Sequence, residues 1–386
     1  MKRKLLIATD GFLPRWDGIS SFLHELIPRL EKNYKLHIFA PNLGGYKFPY
    51  KAKITRFKTI RVRLADNYYA SLVNINTMVR AIKKTDVVWI QCMGPIGIWG
   101  IILGKIYKKP ILMYNHMLEW EVYPNSQGIN ILKVPINVIT KMLSRVFYNM
   151  CKTIIVPSIE QVELLNLMGV KSNKKVVHLG VDIKHYKPPI SKAEAKHKLG
   201  IDPVKFVVGY AGRLSLEKDL KTLYRAFIRL AKKYNDVVLL IAGGGRPELE
   251  KMFSNKENVI LTGIKDDLLP YYQAMDVYVL PSLTETTSLT TMEAMAVGCS
   301  VIATPVGFVK EYINDGVNGL LFPKKNSYTL YKKIEYLLEN SDERAKLGKK
   351  ARETIVENYT WDKTAEGIKD IIDSSMPFKD RTNLTK

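Results

Sequence analysis

Cysteine is scarce in this chain of 386 residues, and its scarcity excludes two classes of protein. The three cysteines are Cys92, Cys151 and Cys299, which stand in apolar or strand-like stretches without metal-ligand spacing. A disulfide framework and a zinc site are therefore both disfavoured, and buried thiols in a reducing compartment are expected.

Long hydrophobic runs are also lacking. The apolar stretch from Pro95 to Gly104 ends at Lys105 and is too short to span a bilayer. The amino terminus, MKRKLLIATDGF, begins like a signal peptide, but Thr9 and Asp10 interrupt its apolar part after about four residues. This segment is expected to be a first strand of a cytoplasmic protein.

Acidic residues are scarce in the first half only. Residues 1–190 hold 29 Lys or Arg against 11 Asp or Glu, a net charge of +18, whereas residues 191–386 hold 30 against 26, a net of +4. No acid occurs from Lys32 to Ala65 or from Val122 to Ile159. This asymmetry predicts an anionic partner for the first half, either a membrane or a nucleic acid. A lysine-rich, solubilising surface of a heat-adapted protein is the alternative.

Short apolar runs alternate with helical patterns along the whole chain, which predicts parallel sheets in an α/β fold. The first half contains LLIA, LHIFA, VVWIQC, PILMY and TIIVPS, and the second contains FVVGYA, VVLLIAG, NVILTG, DVYVLPS and SVIATP. Periodicity is broken between Leu179 and Lys192, where Pro188 and Pro189 stand together. We therefore predict two Rossmann-like domains, residues 1–185 and 186–360, followed by a helix and a frayed tail over 361–386.

The most informative stretch is FVVGYAGRLSLEKDL, from Phe206 to Leu220. An apolar strand stops at Gly212, and a helix is predicted to open with Lys218 one turn in. Arg213 and Lys218 would then stand at the carboxyl end of a strand, where open α/β sheets bind ligands. Two cations beside helix-start amides suit an anion such as a phosphate. A solvated basic turn is the alternative.

A second stretch, from Asp276 to Gly307, repeats the strand, polar loop, helix and strand plan. Glu285 falls in the loop, and Glu293 falls inside a helix that Ser288 is expected to cap. The two carboxylates are not stacked on one helical face, so they suit different parts of one ligand. Because carboxylates accept hydrogen bonds from hydroxyls, the pair favours a polyol such as a sugar or ribose.

Taken together, these motifs resemble the retaining glycosyltransferases of family 4. The resemblance covers nearly the whole chain and rests on GRLSLEK at Gly212, AGGG at Ala242, Thr262-Gly263, the Glu285 and Glu293 pair, EAMAVG at Glu293, and DGVNGLLF at Asp315. It implies a GT-B architecture, with two Rossmann-like domains facing a central cleft and a last helix crossing back to the first domain. One departure is Thr286-Thr287-Ser288, where many members have Gly-Phe-Gly, so the sugar preference does not carry over.

The resemblance also implies roles for individual residues. Gly18, whose lack of a side chain permits close approach of a phosphate, is placed against the donor, and His116, at the end of the strand PILMY, points at the transferred sugar. Trp16 and Asp17 are candidates for acceptor contact, and Glu119 and Glu121 are alternative acid or base residues. The implied site comprises catalytic His116 and Glu285, diphosphate contacts from Arg213, Lys218, Gly18, Ser288 and Leu289, sugar contacts from Thr286 and Thr287, and nucleotide contacts from Glu293, Gly212, Gly243 and Ile264.

The expected function is transfer of a sugar, with retained configuration, from a nucleoside-diphosphate sugar to a membrane lipid or lipid-linked glycan. Lysine and arginine already supply positive charge, and no Asp-x-Asp motif stands near these residues, so neither a metal nor another cofactor is expected. An epimerase of the same architecture is the enzymatic alternative; a phosphorylase would need a pyridoxal phosphate lysine, for which there is no case. A basic nucleic-acid-binding protein would need stacking motifs that are not recognisable here, so nucleic acid is not expected as a partner.

The segment from Pro135 to Met150 has helical spacing that allows two interpretations. Its apolar positions are Ile136, Ile139, Leu143, Val146, Phe147 and Met150, and the opposite positions are Asn137, Lys141, Ser144, Arg145 and Asn149. An apolar face with a basic reverse is typical of a helix lying on a membrane surface. We favour packing against the core, because amphipathicity is usual for domain helices. The predicted peripheral docking at the cytoplasmic membrane face depends on the charge excess of residues 1–190, the acid-free basic run from Lys32 to Ala65 and this amphipathic helix.

Overall fold

The computed structural model describes residues 2–15, 17–44, 49–61, 69–116 and 133–376. The chain forms two compact units, one holding the chain up to His178 and again from Trp361, the other running from Leu179 to Thr360. The division falls shortly before the expected 185/186 boundary. Hydrogen bonds explain why the division falls there. Val177 O accepts from Tyr114 Oη in the first unit, whereas Val181 N donates to Tyr359 O in the second.

The first unit is built on a sheet in which every strand pairing is parallel. Its described strands are β1 (Arg3–Ala8), β2 (Tyr34–Pro41), β3 (Lys53–Phe57), β6 (Val87–Ile90), β7 (Ile111–Tyr114), β8 (Thr153–Val156) and β9 (Asn173–Val176), with a separate antiparallel pair β4 (Thr59–Arg61) and β5 (Tyr69–Ser71). The sheet order is β3-β2-β1-β6-β7-β8-β9. Helices cover both faces, which is why β6, β7 and β8 are buried at every position.

Helices pack on the two faces of this sheet. They are α1 (Gly18–Leu30), α2 (Ile75–Lys83), α3 (Pro95–Ile106), α4 (Lys133–Met150), α5 (Ile159–Leu167) and, from the end of the chain, α14 (Trp361–Ser375). On one face, α1 and α14 meet through the rings of Phe22 and Trp361 and the Arg29–Asp362 ion pair at 2.7 Å. On the other, Met78 of α2 and Tyr148 of α4 share one core with the sheet.

The interpretation of α4 as a core-packed amphipathic helix is confirmed for Phe147 and Met150, which pack against the core, and is wrong for Ile139, Leu143 and Val146, which are exposed. Ser144 and Tyr148 are fully buried on the core side of the helix, at 1% and 0% exposure. The apolar side chains on the other side are exposed by 46–64%, and they are Val138, Ile139, Met142, Leu143 and Val146. We call these five residues the α4 stripe. Apolar residues occupy two sides of this helix, so spacing alone could not tell which side is buried.

The second unit repeats the plan on a six-stranded parallel sheet in the order β12-β11-β10-β13-β14-β15. Its strands are β10 (Phe206–Ala211), β11 (Val237–Ala242), β12 (Val259–Leu261), β13 (Val277–Leu280), β14 (Ser300–Ala303) and β15 (Leu320–Leu321). Its helices are α6 (Lys192–Lys198), α7 (Leu220–Ala231), α8 (Pro247–Phe253), α9 (Leu269–Ala274), α10 (Leu289–Ala296), α11 (Val309–Tyr312), α12 (Ser327–Glu339) and α13 (Ser341–Asn358). Separate apolar cores lie on the two faces of the sheet.

Two local predictions about helix starts are wrong. Lys218 ends a short 3₁₀ helix, Leu216–Lys218, and α7 begins only at Leu220, because Asp219 adopts a left-handed conformation with φ +43°. Ser288 precedes α10 but does not cap it, since its backbone is left-handed with φ +58° and no side-chain capping bond forms. Its hydroxyl instead shares a hydrogen bond with Thr291 Oγ1 at 2.8 Å.

The thiols are as predicted, since Cys92, Cys151 and Cys299 are buried and free. Within the described ranges, every helix is too short or too polar to cross a bilayer. In the same ranges, no three His, Cys, Asp or Glu side chains come together in a group that could hold a metal ion.

Candidate functional site

The sheet order of the second unit places a topological switch point between β10 and β13. From β10 the chain proceeds to β11 and β12 on one side, then returns to β13 and continues to β14 and β15 on the other. In open α/β sheets, ligands bind in the crevice outside the carboxyl ends of the strands at this point. The loops that begin at Gly212 and Pro281 therefore border the expected binding crevice.

Two glycines let the strand ends pack closely beside that crevice. Gly212 follows β10 and Gly243 follows β11, with φ values of +137° and +154° that L side chains rarely adopt. A Cβ on Gly243 would lie 1.9 Å from the carbonyl oxygen of Gly212. Any larger residue at Gly243 would therefore push the two strand ends apart.

Lys218 and Glu285, 67 residues apart, are brought into direct contact. Lys218 Nζ lies 2.6 Å from Glu285 Oε1, and their side chains are only 19% and 8% exposed. Ser282 Oγ donates to the same carboxylate oxygen at 2.7 Å. An ammonium group has three N–H donors. Lys218 can therefore keep its bond to Glu285 and still donate to a ligand oxygen.

Arg213 lies at the open side of the crevice. Its guanidinium is 73% exposed and binds Glu217 Oε1 at 2.9 Å, and Ser215 Oγ donates to the same oxygen at 2.6 Å. Partial burial opposes ionisation of Glu217, but the Ser215 hydroxyl and the Arg213 charge hold its pKa below its usual range. The Glu217 carbonyl also accepts from Leu283 N at 2.7 Å, which joins the two loops. Glu217 thus orients Arg213 while leaving most of its donors open.

The loop containing Glu285, Thr286 and Thr287 packs against the segment at Gly307 and Phe308. A Cβ on Gly307 would lie 1.9 Å from the Glu285 carbonyl oxygen, and Phe308 N donates to Thr286 O at 3.1 Å. Thr287 is 5% exposed, and its buried Oγ1 has no hydrogen-bond partner among the residues that the structure describes. A buried hydroxyl without a partner is costly, so a ligand group at this position would be stabilising.

The first turn of α10 offers open backbone donors. Neither a capping side chain nor a carbonyl of the described residues accepts from the amides of Leu289 and Thr290. This turn lies beside the end of β10, because a Cβ on Gly212 would be 3.9 Å from Thr290 Cγ2. Unpaired amides at the positive end of a helix dipole form a site for an anion.

Glu293 lies one turn further into α10, in an enclosed position. Tyr272 Oη donates to Glu293 Oε2 at 2.8 Å, and Tyr186 is a second hydrogen-bonding partner. Burial raises the pKa of this carboxyl to about 7, against the lowering effect of the two tyrosines. The residue as a whole is only partly buried, and a carboxylate can accept more than the bonds that the two tyrosines donate. Ile264, which follows β12, is 81% exposed and free to contact a flat base.

In the first unit, His116 follows β7 next to another switch point, between β1 and β6. Its Nε2 lies 2.9 Å from Gln91 Oε1, and its ring packs against Phe22 and Tyr114 at centroid distances of 4.7 and 4.5 Å. Burial lowers the pKa of His116 to about 3, so the imidazole is neutral near pH 7. It is therefore suited to hydrogen bonding with a hydroxyl and unsuited to carrying a positive charge.

The loop after β1 is organised by two carboxylates. Asp10 accepts from the amides of Ile96 and Gly97 at 3.0 and 3.1 Å in the first turn of α3, and burial raises its pKa to about 6. Asp17 Oδ1 accepts from Ser20 N at 2.9 Å and so caps α1, whose first residue is Gly18. Contact between Gly18 and a phosphate stays a prediction. Three other candidates fall outside the described residues, namely Trp16, Glu119 and Glu121.

Within the second unit, the structure therefore brings together the switch-point candidates Gly212, Arg213, Lys218, Glu285, Thr286, Thr287, Ser288 and Leu289. Gly243 and Ile264 line the neighbouring strand ends, and Glu293 lies deeper along α10. Sequence reasoning missed Gln91, Glu217 and Tyr272. Gln91 carried a usable signal, since it is a polar residue directly after the apolar strand VVWI. Tyr272 carried none, because its contact depends on how α9 packs against α10.

Comparisons with known proteins find glycosyltransferases that match nearly the whole chain. The family model described as Glycosyltransferase Family 4 matches residues 16–185, and that described as Glycosyl transferases group 1 matches residues 191–354. The alpha-monoglucosyldiacylglycerol synthase of Streptococcus pneumoniae is 26% identical over 81% of this chain and 74% of its own length. A GDP-mannose-dependent alpha-(1-6)-phosphatidylinositol monomannoside mannosyltransferase of Mycolicibacterium smegmatis is 25% identical over 92% and 95%.

Solved structures share the fold. Anabaena HepE, crystallised in complex with UDP, has a TM-score of 0.74 at 19% identity over 97% of this chain and all of its own. Sucrose-phosphate synthase from Thermosynechococcus elongatus has a TM-score of 0.76 at 19% identity over 97% and 99%. At these identities the likeness concerns the architecture alone.

Proposed function

Because the chain belongs to glycosyltransferase family 4 and has the GT-B fold, we propose that it transfers a sugar from a nucleoside-diphosphate sugar to a lipid or lipid-linked glycan at a membrane surface. One observation supports the proposed donor class. The Lys218 ammonium and the open amides of Leu289 and Thr290 lie at the same switch point. Cations and helix-start amides are the usual ligands of a diphosphate.

The remaining contacts suit the rest of such a donor. The Glu293 carboxyl can accept from ribose hydroxyls, exposed Ile264 can contact the base, and Glu285 with the unpartnered Thr287 hydroxyl can meet the sugar. One relative is a GDP-mannose-dependent enzyme, and one structural neighbour was crystallised with UDP. Both are nucleoside-diphosphate systems, which supports the donor class and leaves the base open between uridine and guanosine.

In the proposed reaction, the bond between the sugar C1 and the diphosphate oxygen breaks, and the acceptor hydroxyl oxygen bonds to C1 on the same face. The hydroxyl proton passes to the departing diphosphate. Negative charge develops on that group, where Lys218, Arg213 and the α10 amides are in place before the reaction. Loss of one preorganised donor of this kind typically lowers the rate by about 100- to 1000-fold. His116, neutral and held by Gln91, would hydrogen-bond a hydroxyl of the transferred sugar.

The acceptor part rests on the first unit and on two relatives. Both relatives named above are enzymes of lipid glycosylation, a monoglucosyldiacylglycerol synthase and a phosphatidylinositol monomannoside mannosyltransferase. The α4 stripe is an exposed apolar surface, Lys141 and Arg145 are exposed on the same helix, and no acid occurs from Val122 to Ile159. Apolar side chains flanked by cations complement an anionic leaflet. We propose that the α4 stripe docks the enzyme peripherally at the cytoplasmic face of the membrane.

Calorimetry with UDP and GDP tests the donor site. We expect one diphosphate to bind the wild-type protein and to bind markedly more weakly to Arg213→Ala and Lys218→Ala, because these contacts exist before and during the reaction. Lys221→Ala, which removes an exposed lysine of α7, is the matched control. Unchanged affinity in both site variants would refute the assignment. Incubation with UDP- and GDP-sugars then separates a transferase, which needs an acceptor, from an epimerase, which converts the donor alone.

Liposome co-sedimentation tests the docking surface. We expect binding to vesicles containing phosphatidylglycerol, weakening with salt as exposed charges are screened beyond roughly 8 to 10 Å. Changing Ile139, Met142 and Val146 to Ser should reduce this binding. Ile190→Ser with Val204→Ser, two exposed positions of the second unit, is the control. If the stripe variant and its control sediment equally, the stripe is not the docking surface. Salt-sensitive binding to RNA with no affinity for either nucleoside diphosphate would favour the nucleic-acid alternative.

A further inference from the structure

A cavity of about 440 Å³ lies in the first unit between α2 and the amino-terminal halves of β1, β2 and β3. Its apolar floor includes Leu5, Leu6 and Leu36. The candidate site loops follow the carboxyl ends of strands, whereas this cavity lies at the amino-terminal ends. It is therefore separate from the site described above. Its volume falls in the range of pockets that hold small ligands.

Five cations line this cavity, and we call them the β1–β3 basic cluster: Lys4, Lys35, Lys53, Arg80 and Lys84. Their convergence follows from the fold. Lys4 and Lys35 are direct register partners on β1 and β2, and Lys53 of β3 is paired with His37. Arg80 and Lys84, four residues apart, lie on the same side of α2. Three strands and one helix thus place cationic side chains around the same cavity.

Within the described residues, no ion pair neutralises these five side chains. The cavity lining holds no acidic residue, and none of the five cationic side chains forms an ion pair. The nearby carboxylate of Asp86 accepts from the backbone amide of Lys4 at 2.8 Å. Like charges opposite one another on neighbouring strands, or four residues apart on a helix, are destabilising. A bound anion would remove that repulsion.

Neutral polar groups complete the lining. His37 Nε2 lies 2.9 Å from Thr55 Oγ1, and both residues face the cavity. Burial, together with the Lys53 charge, lowers the pKa of His37 to about 4, so this ring adds no positive charge near pH 7. It can act as a neutral hydrogen-bond partner beside the cations. Cations together with neutral donors are the set that phosphate oxygens require.

We propose that the β1–β3 basic cluster binds a multiply charged, phosphate-bearing anion, at a site distinct from the donor site. The same chemistry is supplied by a free phosphate compound or by the headgroup of an anionic phospholipid. The volume and the number of cations favour at least two phosphate charges rather than a single carboxylate.

The test is calorimetric titration of the full chain with pyrophosphate in the presence of saturating UDP and GDP, so that the donor site is filled whichever base it takes. We expect one pyrophosphate to bind and the affinity to fall at least ten-fold in Lys35→Ser/Lys53→Ser/Arg80→Ser. Lys171→Ser/Lys175→Ser removes two exposed lysines of the same unit and should bind as the wild type does. Titration with inorganic phosphate and sedimentation with vesicles containing cardiolipin, whose headgroup carries two phosphates, both in the α4 stripe variant, separate a free anion from a headgroup.

A second measurement uses the wild-type protein, because the triple variant could lose binding simply by failing to fold. The ring-proton signal of His37, assigned by its loss in His37→Gln, should shift when pyrophosphate is added at pH 7 in the presence of UDP and GDP. Binding to either probe that is lost in the cluster variant supports the site. Absence of binding to pyrophosphate, phosphate and vesicles, or equal binding by the cluster and control variants, would overturn it. Neither result depends on whether the protein transfers a sugar.

Discussion

The enclosed carboxyl of Glu293 gives the sharpest prediction, because its state should control donor binding near neutral pH. In the free protein burial raises its pKa to about 7, so half of the molecules carry a protonated Glu293 at that pH. Ribose hydroxyls would donate to the carboxylate and lower its pKa on binding. The carboxylate is therefore the binding form, and affinity should fall as the pH is lowered through 7.

The size of the effect follows from the titration. With a pKa of about 7, the ionised fraction falls from roughly 90% at pH 8 to roughly 10% at pH 6. The affinity for a nucleoside-diphosphate sugar should therefore be about ten-fold lower at pH 6, which corresponds to ~1.4 kcal/mol. A UDP-sugar is the right probe, because both of its phosphates are esterified and neither gains a proton in this range. Calorimetry at pH 6, 7 and 8 measures the change.

Glu293→Gln is the control, since the amide keeps the shape but cannot titrate. Its affinity should be flat over the same range. The free wild-type protein should also lose up to ~3 kcal/mol of stability relative to Glu293→Gln as the pH rises from about 4.5 to 7, because a raised pKa favours the folded state only while the group is protonated. If wild type and variant show the same pH dependence of donor binding, Glu293 does not contact the ribose.

Two other predictions concern single contacts. Gln91→Leu removes the partner of His116 at 2.9 Å and should lower kcat, as His116→Ala does, while leaving UDP affinity nearly intact; full activity in both variants would remove His116 from the site. Asp276→Ala breaks the buried ion pair with Lys196 at 2.7 Å and should destabilise the protein by about 3–5 kcal/mol in urea unfolding. Lys198→Ala, an exposed lysine one half-turn away on α6, should change stability by less than about 1 kcal/mol, and equal losses in the two variants would contradict the reasoning.

The fold was accessible from the sequence because its signals are local. Short apolar runs such as Val87–Ile90 and Val277–Leu280 mark strands buried on both faces, and their alternation with helices leaves few options besides parallel sheets. The run from Phe206 to Leu220 combined a strand end, a glycine and two cations within fifteen residues. The motifs were sufficient for the family and its fold, and they placed donor candidates on the loops that follow β10 and β13.

Contacts between distant segments were not accessible in this way. The family resemblance implied separate roles for Lys218 and Glu285, and only the tertiary structure, in which β10 pairs with β13, shows that the two side chains touch. Likewise, the Gln91 contact of His116 exists because β6 and β7 are neighbours. Local patterns specify elements, whereas the neighbours of an element depend on the order of strands in the sheet.

The sequence by itself thus determined two parallel α/β units, the family, and the basic character of the first half. Only the tertiary structure decided which side of α4 is exposed and which cations converge between α2 and β1–β3. Both depend on burial, which is a property of the packed chain. Apolar residues stand on two sides of α4, but only one side can pack against the core. The buried side is the one that holds Ser144 and Tyr148.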